Sequence, residues 1–91
     1  MVVLGVSKVN SMLTLREEIM KLIVKEPYIS INGLAARLQK TRSEIKDKLF
    51  LLRRDGMAKD QMVRKENPLG GLVLTHVWYP TKEGIKWSEN L

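Results

Sequence analysis

Arg42, Ser43, Lys46, Asp47, Phe50, Arg53 and Arg54 recur at helical spacing and make a polar, mostly cationic stripe. Ile45, Leu49 and Leu52, spaced by four and then three residues, share the opposite face. A helix with a buried stripe behind and a cationic one in front can lie in a DNA major groove, where Arg and Lys pair with the guanine edge. Other chemistries lack their parts. There is no Cys, so disulfides, thiolate catalysis and Cys-based zinc fingers are excluded. His76 is the only histidine and makes no metal site alone. No Ser-His-Asp set, P-loop or pair of catalytic carboxylates stands out, so no enzyme and no cofactor are expected.

The stripe needs elements to position it, and the stretch from Ile31 to Gly56 supplies them. A helix from Asn32 to about Gln39 carries Leu34 and Leu38 on one face. Lys40-Thr41 forms the turn, and Thr41 with Glu44 three residues on spells a capping box for the next helix. Gly56 follows that helix where a left-handed residue is wanted. Upstream, Ser11 to Lys25 reads as a helix with a second capping box at Thr14 and Glu17, ended by Pro27. Tyr28 to Ile31 reads as a brief strand. Downstream, Met57–Glu66 and Leu72–Tyr79 flank Asn67-Pro68-Leu69-Gly70-Gly71 and predict a β-hairpin. Pro80 interrupts the second strand, and Thr81 to Asn90 predicts a short last helix. The expected core is Ile19, Leu22, Ile23, Leu34, Leu38, Ile45, Leu49, Leu52, Val73 and Val77.

Ninety-one residues make one domain with a modest core. Sixteen Lys and Arg against ten Asp and Glu give a net charge of +6 and a pI near 9.8, which points to a polyanionic partner. No apolar run is long enough to span a membrane. The Val-rich segment 1–10 is expected to be an N-terminal arm ahead of a domain at 11–91, and is too short for a signal peptide. A cytoplasmic, nucleoid-associated location fits.

The order helix, short strand, helix, turn, helix, hairpin, short helix resembles the winged helix-turn-helix fold: α+β, mainly α, with a three-helix core, a β-hairpin wing and a short C-terminal helix. Ser30–Gln39 (SINGLAARLQ) looks like the family's second helix, with the small pair Ala35-Ala36 allowing close helix crossing. Thr41–Met57 (TRSEIKDKLFLLRRDGM) looks like the recognition helix and its exit. Trp78–Trp87 (WYPTKEGIKW) resembles the strand-to-helix ending of MarR-like and PadR-like regulators, departing from it at Pro80 and in having Gly after Glu83.

The resemblance implies double-stranded DNA contacts at Lys40, Thr41, Arg42, Ser43, Lys46 and Asp47. Arg42 and Lys46 suit guanine edges, while Thr41 and Ser43 suit phosphate or a base edge. Asp47 either accepts from a cytosine amino group or orients Arg42 or Ser43. Lys59, Arg64, Lys65 and Asn67 are expected near the wing tip, on phosphates or in a minor groove. Phe50 is expected to pack against the hairpin, with a partner contact or a thymine methyl as alternatives. Trp78 and Tyr79 are expected in the core or at a dimer contact. Val2, Val3 and Leu4 at one end and Trp87 and Leu91 at the other are expected to bury themselves in a homodimer. The reading is a sequence-specific, homodimeric transcriptional regulator with its recognition helix over 42–55, its wing over 64–71 and no small-molecule effector evident. A DNA-coating nucleoid or plasmid-partition protein and a protein–protein interaction adaptor are the alternatives.

Overall fold

The computed structural model describes residues 13–91. The expected arm at 1–10, with Val2, Val3 and Leu4, lies outside the described residues. Helix α1 spans Leu15–Lys25. The capping box at its start is complete: Thr14 Oγ1 accepts from the Glu17 N–H, and Glu17 Oε1 accepts from the Thr14 N–H at 2.8 Å. Those hydrogen bonds from Thr14, backbone first, hold the Glu17 carboxyl below its ordinary pKa. Ile19, Met20 and Ile23 are the buried residues of α1.

Strand β1 is only Ile29–Ser30. Tyr28, just before it, has φ +68°, a left-handed conformation that bulky side chains rarely adopt. Two contacts hold it there. Its N–H donates to the Trp78 carbonyl at 2.8 Å, and its ring stacks on Tyr79 with centroids 5.4 Å apart. Helix α2 spans Ile31–Leu38, starting one residue earlier than the sequence predicts because Ser30 caps it, its Oγ accepting from the Gly33 N–H at 3.1 Å. Gln39 ends α2 in a left-handed conformation.

Helix α3 spans Arg42–Arg54. Thr41 caps it as predicted, accepting from the Glu44 N–H at 3.2 Å, although Glu44 does not make the reciprocal bond recorded for Glu17. Gly56 takes the expected left-handed conformation, φ +75°. Strands β2 (Ala58–Glu66) and β3 (Leu72–Pro80) form the hairpin. The three-stranded antiparallel sheet has the order β1-β3-β2, so Trp78 pairs with Ile29 on one side and Asp60 on the other. Helix α4 spans Lys82–Glu89.

One core joins helices and sheet. Ile19, Met20, Ile23, Leu34, Ile45, Leu49, Leu52, Ala58 and Trp78 pack together, fully or almost fully buried. Leu22 and Leu38 border this cluster and are half-buried. Val73 is not core: it is 47% exposed. It lies in the half of β3 beyond the two β1 pairings, at Val77 and Trp78.

Helix α4 is locked to the link between α3 and β2. Thr81 Oγ1 donates to the Gly56 carbonyl at 2.6 Å, the Thr81 N–H donates to the Met57 carbonyl at 3.0 Å, and Thr81 Oγ1 accepts from the Gly84 N–H at 3.1 Å. The link runs so close to α4 that a Cβ on Gly84 would stand 2.0 Å from the Met57 carbonyl oxygen and 2.9 Å from Met20 Cε. This close approach explains the Gly after Glu83. Gly84→Ala is therefore expected to destabilise the fold by about 1–3 kcal/mol in urea denaturation. Gly71→Ala, in open space, should change stability by no more than about 0.5 kcal/mol.

Candidate nucleic-acid interface

The first two turns of α3 are polar because its apolar residues are used behind. Ile45, Leu49 and Leu52 are buried, which fixes the rotation of the helix about its axis. Lys40, Thr41, Arg42, Ser43, Glu44, Lys46 and Asp47 are then all exposed, on the turn and on the outward face. The predicted major-groove set is thus brought together on one surface. The Lys46 Nζ lies 5.7 Å from the Phe50 ring centroid.

Phe50, 42% exposed, lines a groove of about 440 Å³ between α3 and the hairpin. Met62, Leu74 and Trp78 line it too, together with Arg42 and Lys46. Phe50 therefore faces the hairpin as expected, but leaves open space between.

Arg53 departs from the predicted stripe. Its guanidinium is 5.1 Å from the Phe50 centroid and 6.0 Å from that of Trp78, and it donates to Asp60 Oδ2 at 3.1 Å. The same oxygen lies 2.6 Å from His76 Nε2, across the hairpin. Asp60 and His76 are diagonal neighbours on the same face, two pairs apart, since Asp60 opposes Trp78 and Met62 opposes His76. Helix α3 is thus tied to both hairpin strands through one carboxylate. Sequence reading missed this cluster, and its only signal was the one His and one Asp at alternate positions of two strands whose register was not yet known.

The hairpin cations divide into two groups. Lys59 pairs with Tyr79 at the base, not near the tip. Arg64 and Lys65, opposite Leu74 and Val73, are exposed on the outer half. Asn67 starts the tip turn, and its Oδ1 accepts from the Leu69 N–H at 3.0 Å. Trp87 is half-buried against the core, with the Arg16 guanidinium 5.5 Å from its ring centroid. Leu91 lines an apolar groove with Leu13, Leu22 and Leu38. Among the described residues, no group of three or more His, Asp or Glu could hold a metal ion, and no helix is long and apolar enough to cross a membrane.

Burial pushes the Asp60 carboxyl up, but the hydrogen bonds and charges of His76 and Arg53 outweigh it and hold the group below its ordinary pKa. A carboxyl depressed in the folded state stabilises above its unfolded pKa of about 3.9, and that contribution is lost as pH falls through the lower, folded value. Stability should therefore decline with acid below about pH 4. Asp60→Asn should make that decline shallower, with the Glu17 cap supplying part of what remains; thermal melts between neutral and acid pH measure it.

No family model matches the chain, and no curated protein sequence matches it. Solved structures do. FabT of Streptococcus pneumoniae, solved in complex with DNA, superposes with a TM-score of 0.64 at 20% identity, over 82% of this chain and 48% of FabT. The zinc-responsive MarR family member ZitR of Lactococcus lactis superposes with a TM-score of 0.67 at 13% identity, over 86% of this chain and 49% of ZitR. Reduced HlyU from Vibrio cholerae superposes with a TM-score of 0.65 at 24% identity, over 96% of this chain and 83% of HlyU. The chain spans about half the length of FabT and ZitR. At these identities the likeness is one of fold, and the chain has the winged helix-turn-helix fold, with α2 and α3 as the helix-turn-helix and the β2–β3 hairpin as the wing.

Proposed function

We propose that the chain is a sequence-specific, double-stranded-DNA-binding protein acting as a homodimeric transcriptional regulator, without enzymatic activity, in the cytoplasm and on the nucleoid. The observation that carries this is the face of α3. Arg42, Ser43, Lys46 and Asp47 stand exposed together on a helix whose rear is anchored by three buried residues. A rigidly held helix with donors and acceptors in front is what direct readout in a major groove requires. The net charge of +6 supports a polyanionic partner, and FabT, of the same fold, was solved with DNA bound. In this reading Arg42 and Lys46 reach guanine edges, Thr41, Ser43 and Lys40 reach phosphates or base edges, and Asp47 accepts from a cytosine amino group or orients its neighbours. Arg64 and Lys65 contact phosphates from the wing, with Asn67 at its tip and Lys59 nearer its base.

Pairing is the second part of the proposal. One recognition helix contacts few base pairs, and a two-fold dimer sets two of them about 34 Å apart, one DNA turn. The apolar groove at Leu13, Leu22, Leu38 and Leu91 supports a subunit contact on the α1 side, with Trp87 and the arm residues Val2, Val3 and Leu4 contributing.

Arg42→Ala with Lys46→Ala should weaken binding to a selected site by about 1–3 kcal/mol per lost bidentate contact, and weaken binding to random duplex much less. Competition gel shifts measure both, and an equal fall in the two affinities removes these residues from base readout. Sedimentation equilibrium at micromolar protein should show a dimer that Leu91→Asp shifts toward monomer; a wild-type chain that stays monomeric excludes the pairing.

A further inference from the structure

The outer half of the wing carries large apolar side chains that nothing among the described residues covers. Leu69, Leu72 and Leu74 are 93%, 67% and 61% exposed. Exposed apolar patches of this kind mark contacts. Leu69 is distinguished by how it is held. Asn67-Pro68-Leu69-Gly70 closes on itself, the Gly70 N–H donating to the Asn67 carbonyl at 2.8 Å. The Asn67 N–H donates to the Gly71 carbonyl at 2.6 Å, and the Asn67 side chain takes the Leu69 N–H. Asn first, Pro second and Gly fourth, here with φ +93°, are the residues that such a turn favours. The most exposed large side chain of the wing thus stands at the apex of a backbone tied by three hydrogen bonds. A backbone held this way has little freedom left to lose on contact.

We infer that Leu69 is an apolar wedge for the DNA minor groove, entering a base step and kinking the duplex; this rests on the DNA-binding reading above. Minor-groove proteins use Leu, among other apolar side chains, in this way, with cations holding the flanking phosphates. The wing has both parts. Arg64 and Lys65 precede the turn by two or three residues, within about 10 Å of its first residue, Asn67, at strand rise. Glu66 is the acidic neighbour, so these three residues leave one net positive charge, two cations less one anion. That charge favours a polyanion and disfavours the apposition of two identical tips. A wedge also reads sequence without touching base edges. Pyrimidine–purine steps unstack most easily, so the wing selects a deformable step beside the bases read by α3.

The test uses the full chain and a short duplex with one central TA step, end-labelled for energy transfer and carrying 2-aminopurine at the step. Leu69 makes no buried contact, so Leu69→Ala leaves the fold intact. Saturating wild-type protein is expected to raise both energy transfer and 2-aminopurine fluorescence. Leu69→Ala is expected to lose both signals while keeping the same slope of log affinity against log salt, because no charge has changed. Wild-type protein that binds without either signal, or Leu69→Ala that keeps both, overturns the wedge and leaves the DNA-binding reading standing. Absence of any salt-dependent binding by the wild type overturns both. Self-association without DNA that Leu69→Ala abolishes assigns the tip to a second copy of this chain, and also overturns the wedge.

Discussion

Trp78 is where the sheet and the helices become one object. It is completely buried in the helical core, while its backbone pairs with β1 on one side and β2 on the other. A large aromatic ring contributes more apolar burial than most core residues, so the base of the wing cannot shift without exposing it. The neighbouring contacts follow from this anchor. Tyr28 gives its N–H to the Trp78 carbonyl, which helps hold its left-handed backbone and brings β1 alongside. Two residues after Trp78 the strand ends at Pro80, and Thr81 clamps α4 to the exit from α3.

The same anchor sets the geometry between α3 and the wing. Arg53 lies over Phe50 and Trp78 and reaches Asp60, which His76 also contacts. Cation, aromatic rings and carboxylate form a strut on the side of α3 that faces the hairpin. The polar residues in the first two turns of α3 remain exposed. One helix thus divides its charges by position: the early cations stay available and Arg53 is engaged in structure.

The wing changes character along its length. Its inner half shares the domain core at Ala58 and Trp78, whereas its outer half exposes Met62, Leu72, Val73 and Leu74. The turn that joins the strands is nonetheless well tied. The outer half thus sets exposed apolar side chains opposite the exposed charges of Arg64, Lys65 and Glu66.

Much of this was legible in the residues alone. Threonine caps, the glycine after α3, the proline after α1 and the 3.6-residue periodicity act over a few neighbouring residues, so they place helices without knowledge of the fold. The exposed face of α3 follows from that periodicity, because burying Ile45, Leu49 and Leu52 turns Arg42 and Lys46 outward. Strand β3 was different. Leu72 to Tyr79 is almost uniformly apolar, and nothing local distinguishes exposed Val73 from buried Trp78. Only the pairing of β1 at Val77 and Trp78, and the packing of Trp78 into the helical core, separates them. The Arg53–Asp60–His76 cluster likewise required the hairpin register and the approach of α3, which bring residues 7 and 16 positions apart onto one carboxylate. Local hydrogen-bonding preferences determined the helices, and long-range burial decided which side of each strand had somewhere to go.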